Sequence, residues 1–90
     1  MRFEWDARKS AANLLKHGVG FDEASTVFGD GLAATARDLD HLAAEGRFIT
    51  FGLSSSGRVL AVSHTDRGGA IRVISARLAT RLERRIYEEG

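Results

Sequence analysis

Three histidines, His17, His41 and His64, are the only side chains in this sequence whose ordinary pKa suits proton transfer near neutral pH. None stands at a metal-ligand spacing. His41 lies among Asp38, Asp40 and Glu45, the one dense acidic patch, and a solvated loop accounts for that patch better than a metal site. With no cysteine, thiolate nucleophiles, thiolate metal sites and disulfides are excluded. Neither a G-x-S-x-G elbow nor a phosphate-binding P-loop occurs, so serine hydrolysis and nucleotide hydrolysis have no support. Two of the histidines also have a plain structural reading. His17 follows Lys16 at the end of a helical stretch, where cations complement the helix dipole. His64 counts by twos from Leu60 and Val62 and so points towards an apolar face. Tyr87 fits packing or function.

The second chemical feature is arginine. The net charge of +1 hides an asymmetry: residues 1–45 carry five basic and eight acidic side chains, whereas residues 46–90 carry eight basic and four acidic ones. All eight are arginine: Arg47, Arg58, Arg67, Arg72, Arg77, Arg81, Arg84 and Arg85. The guanidinium fork suits bidentate phosphate contact, which tilts the expected partner towards nucleic acid. A solvated basic face, filled with arginine through codon preference, is the competing explanation and fits the charge count as well.

The elements that would position these groups are legible from periodicity. Phe3 and Trp5 alternate with Arg2 and Glu4 as a short strand. Asp6 is an N-cap for a helix in which Ala7, Ala11, Leu14 and Leu15 recur at helical spacing, closed by Gly18. Phe21, Ala24 and Phe28 mark a second short helix ending at Gly29 or Gly31. Leu32 to Asp40 reads as an edge strand, and Arg47 to Leu53 as a strand with Ile49, Phe51 and Leu53 on one face. A turn at 54–57 leads to a strand carrying Leu60 and Val62, and a second turn leads to the last strand, Ile71 to Arg77. Thr80 and Glu83 form a capping box for a closing helix, along one side of which Leu82 and Ile86 stack.

This order predicts an α+β fold: one domain over residues 1–90, a small antiparallel meander with two N-terminal helices and one C-terminal helix on one of its faces. Strict alternation places Arg72 and Arg77 on opposite faces of the last strand. Arg77, where that strand runs out, is then the better substrate contact and Arg72 the more structural residue. No apolar run approaches the roughly 18 residues of a membrane span, and the N-terminus has no leader pattern, so a cytoplasmic, membrane-free protein is expected.

The combination of "FEWD" and "KHGV" in the first helical region, "DLDH" with Arg47 after it, and "RVISAR" followed by Ala79, Thr80, Glu83, Arg84 and Tyr87 resembles the BrnT family of toxins of type II toxin–antitoxin systems. The resemblance implies a RelE-like fold and a metal-independent endoribonuclease that needs no cofactor. It implies an antitoxin of the BrnA type with a ribbon-helix-helix domain, and contact with promoter DNA only through the complex of the two. Arg77 and Arg72 then become candidates for phosphate and transition-state contact. Arg47, Arg67, Arg81 and His41 become candidates for RNA binding, and Lys16, His17, His64 and Tyr87 for proton transfer or positioning. Two positions depart from the family pattern. Gly20 replaces a capping serine, and Gly46 replaces an acidic residue before Arg47, which raises the alternative of a catalytically degenerate binding module.

Overall fold

The computed structural model describes residues 1–38 and 46–90. Strand β1 (Arg2–Glu4) leads into helix α1 (Ala7–His17), and helix α2 (Phe21–Ser25) continues as a 3₁₀ turn over Thr26–Gly29. Strands β2 (Ala34–Arg37), β3 (Arg47–Leu53), β4 (Val59–Arg67) and β5 (Ala70–Leu78) follow, and helix α3 (Arg81–Glu89) closes the chain. The candidate His41 lies outside the described residues.

The local signals do what their chemistry dictates. Asp6 accepts hydrogen bonds from the Arg8 and Lys9 amides, and Gly18 takes φ +72°, the left-handed cap that glycine alone adopts without cost. The Thr80–Glu83 capping box is fully formed. Helix α2 has no side-chain cap of its own at Gly20; instead the Ser10 hydroxyl of α1 accepts from the Phe21 amide at 2.9 Å. The serine missing from the sequence position is thus supplied by a neighbouring helix.

The sheet order is β1-β5-β4-β3-β2. It is mixed, not the expected antiparallel meander: β1 pairs in parallel with β5 through Arg2–Ala70, Phe3–Ile71 and Glu4–Arg72. Nothing local could announce this pairing, because it joins residues nearly seventy positions apart. Nor do the helices share one face. Val27 in the 3₁₀ turn packs against β3, where an added Cβ on Gly52 would meet it at 3.1 Å. Helix α1 lies along the margin of β5 beyond the short β1, and α3 reaches back from the chain end to Asp30 and Arg77.

The core unites Val19, Phe21, Ala24 and Val27 with Leu60, Val62, Val73 and Ala76, and Trp5 and Phe28 pack against it. Full burial of a large apolar side chain of this kind stabilises by about 1.5–3 kcal/mol. The apolar stripe expected to bury α1 does not do so. Leu14 is 54% and Leu15 is 90% exposed, and the one buried residue of the helix is Asn13. Its amide donates to the Val19 and Ala76 carbonyls at 2.7 Å, and its carbonyl accepts from the Ala76 amide. Asn13 therefore satisfies the backbone of β5 where β1 has ended, and a bare strand edge is closed by one side chain.

The most consequential irregularity lies in β5. Ser63 pairs with Ser75 but His64 pairs with Val73, so Ile74 is an extra residue, a β-bulge. The bulge inverts the alternation across it. Val73 and Ala76, three residues apart, both enter the core, and Arg72 and Arg77, five apart, emerge on the same face. This corrects the expectation that the two arginines lie on opposite sides.

Candidate active site

Residue pairing assigns the face away from α2. Arg47, Thr65 and Arg72 form one row across β3, β4 and β5, with Glu4 on β1 completing it. Arg67, Ala70 and Arg2 form a second row; Ile49, Ser63 and Ser75 a third; Phe51, Ala61 and Arg77 a fourth. A cleft of about 270 Å³ opens in this face, lined by Ile49, Ala61, Ser63, Ser75, Ala76 and Arg77. His17, from the last turn of α1, closes one side, and Asp38, just after β2, closes the other. Asn13 docks α1 on β5, and the same helix one turn later brings His17 to the cleft.

Arg77 is held in a defined orientation. Its Nη1 and Nη2 donate to the two carboxylate oxygens of Glu83 at 2.7 and 3.0 Å, and Nη1 also donates to the Leu78 carbonyl at 3.3 Å. The guanidinium holds the Glu83 carboxyl down at about 2, and the carboxylate raises Arg77 in turn. This end-on pairing leaves the Nε edge of the guanidinium without a partner among the described residues, and that edge with the second Nη2 proton forms a second fork. Arg72 is held loosely, 3.7 Å from Glu4.

His64 lies on the opposite face. It is 5% exposed, its Nε2 is 2.7 Å from the Thr50 hydroxyl, and that hydroxyl is 2.7 Å from Thr35. Phe28 meets its ring edge-on and Phe48 stacks on it. Burial pushes its pKa down, so the neutral ring is favoured. Nδ1 is buried with no hydrogen-bond partner among the described residues. This is the environment of a packed histidine beneath the sheet, away from the cleft.

The other predicted residues separate similarly. Lys16 is exposed beside His17 but does not line the cleft. The Tyr87 hydroxyl donates to Asp30, whose carboxylate also accepts from the Leu53 and Leu32 amides, so Tyr87 straps α3 to the end of β3. Asp30 raises the tyrosine pKa, while the Leu53 amide and Tyr87 lower that of Asp30. Arg81 lines a different groove, on the flank of α3. Gly46 has φ +80°, so an acidic side chain there would be strained, and the glycine suits the turn entering β3 at Arg47. Sequence reasoning missed Ser63, Ser75 and Asp38 as cleft residues. The first two are small polar residues in strands, a signal too common to single out.

The sequence pattern of the family described as "Ribonuclease toxin, BrnT, of type II toxin-antitoxin system" matches residues 5–83. Among solved structures, the Brucella abortus ribonuclease toxin BrnT superposes with a TM-score of 0.70 at 25% identity, covering 90% of this chain and 99% of that one. No curated protein matches the chain. Since the match takes in both N-terminal helices, strands β2 to β5 and the start of α3, this chain belongs to the BrnT family of ribonuclease toxins of type II toxin–antitoxin systems.

Proposed function

We propose that the chain is an endoribonuclease that binds RNA across the open sheet face and cuts it in the cleft between His17 and Arg77. The observation that carries this reading is the bulge at Ile74, which gathers Arg72 and Arg77 on the face that already bears Arg47 and Arg67. A cationic surface of this kind attracts the phosphate backbone whatever its sequence.

In the proposed reaction a ribose 2′-hydroxyl attacks the adjacent phosphorus. The 2′-proton passes to a base in the cleft, the P–O5′ bond breaks, and the 5′-oxygen takes a proton as it leaves. The products carry a 2′,3′-cyclic phosphate and a 5′-hydroxyl. The free Nε edge of Arg77 stabilises the charge that grows on the non-bridging oxygens, and Arg72, two rows along the same face and outside the cleft, contacts the phosphate backbone. His17 serves in proton transfer. No step uses a metal. A BrnA-type antitoxin neutralises the enzyme in the cytoplasm, and the pair represses its own promoter through the antitoxin's ribbon-helix-helix domain.

Incubating the purified chain with total RNA in EDTA tests the reading. Cyclic-phosphate ends and arrested growth on induction are expected; intact RNA with unimpaired growth would falsify it. One observation favours a second reading, a binding module without catalysis: Glu83 already neutralises Arg77. That reading predicts antitoxin binding with no RNA cleavage.

A further inference from the structure

A second concavity, sharing no lining residue with the cleft, runs between α3 and the β3–β4 hairpin and encloses about 680 Å³. Its floor is aliphatic: Leu53 is 43% exposed, Leu78 is 50% exposed and Val59 is half-buried. Its wall is one face of α3, where Arg81, Arg84 and Arg85 project at helical spacing. All three are exposed and none forms an ion pair among the described residues. A fourth arginine, Arg58, is already committed to Glu23, and Glu88 is the single acid on the wall. Leu82 and Ile86, 65% and 61% exposed, lie beside Arg85 on the helix.

Resting on the toxin–antitoxin reading, we infer that this groove is the docking site of an acidic amphipathic helix of the antitoxin. The aliphatic residues of that helix would cover Leu53, Val59 and Leu78, and its carboxylates would pair with Arg81, Arg84 and Arg85. Two features favour a protein segment over RNA. Single-stranded RNA is gripped by aromatic platforms on which bases stack, and this floor has none. Aliphatic centre with arginine rim is instead the anatomy of a protein interface, and the groove form suits helix-in-groove recognition. Three unpaired cations at the rim supply the charge complementarity that an acidic helix would meet. The same helix α3 holds Arg77 through Glu83, so a partner seated here grips the element that orients the cleft's arginine.

The experiment uses the whole chain and the small protein co-encoded with it as probe. The variant is Arg84→Glu with Arg85→Glu, at positions outside the cleft. Its dissociation constant for the probe should rise about 10- to 100-fold, the scale of lost interfacial charge pairs, with RNA cleavage by the free chain unchanged. Cells carrying the variant and the antitoxin should then stop growing. The neutral pair Arg84→Gln with Arg85→Gln, both good helix formers, covers the case in which charge reversal impairs folding, and should weaken binding in the same direction. Affinity within twofold of the parent for a folded variant would overturn the inference. So would loss of RNA cleavage with affinity kept, which would make the groove an RNA path, and so would failure of the parent to bind the probe. If the parent binds the probe in an arginine-dependent way but cleaves no RNA, the nuclease reading fails and the docking site stands.

Discussion

The two faces of the sheet carry similar residue types in opposite circumstances. Beneath it, His64 is enclosed by Phe28 and Phe48 and joined to Thr50 and Thr35, and burial keeps its ring neutral. Above it, His17 stands exposed at the rim of a cleft floored by small residues, beside a guanidinium fixed by a carboxylate. Residue type alone therefore assigns no role. A histidine that packs contributes to stability through its neighbours, and one that catalyses must meet solvent and substrate.

The comparison breaks most readily at Arg77. Arg77→Ala should lower RNA cleavage by about 10²- to 10³-fold, as the loss of one oxyanion donor does, with circular dichroism unchanged. A comparable loss of folding stability instead would move Arg77 to the structural side. His17→Ala should cost about 10²-fold in rate and leave the melting temperature nearly unaltered. His64→Ala should show the reverse. Unfolding in urea should reveal about 2–4 kcal/mol of lost stability from the cavity and the stranded hydroxyl, with single-turnover cleavage preserved once the protein is folded. A rate loss at 64 larger than at 17 would invert the two faces.

Acid should resolve the faces by pH. The folded pKa of His64 lies below its ordinary 6.5, so the unfolded state binds the proton first and stability falls as pH drops below about 6.5. Glu23, held by Arg58, Ser56 and Ser54, and Glu83, held by Arg77, titrate near 2 instead of 4.5. Their contribution is complete above about 4.5 and disappears as pH falls towards 2. Urea midpoints measured from pH 8 to 3 should show both losses, and His64→Gln should remove the earlier one. The smallest effect is expected at Glu4. Its pair with Arg72 is long and half-buried, open to solvent screening, so Glu4→Gln should change stability by less than about 1 kcal/mol.

What was legible in the sequence follows from range. Asp6, Gly18, Thr80 and Glu83 act within a turn of where they stand, and their caps form as read. The strands from Arg47 onward announce themselves by alternation. The parallel pairing of β1, the exposure of Leu14 and Leu15, and the reach of Asn13 to Ala76 depend on partners distant in the chain, where periodicity carries no information. The candidate site was read as a set of residue types, and Arg77 and His17 do meet in one cleft. The grouping with Arg72 was not readable, because one unpaired residue resets a count by twos.

That unpaired residue lets an odd spacing act as an even one. Arg72 and Arg77 stand five apart and Val73 and Ala76 three apart, yet with Ile74 left out of the count each pair is an even number of places apart, so a strand lacking that residue would show the same two faces with unbroken pairing. Deletion of Ile74 should therefore keep both arginines on the open face, whereas closing the bulge into regular pairing with Ile74 retained would turn one of them towards the core. In this stretch the pairing register, and not the number of residues, decides which side chains face outward.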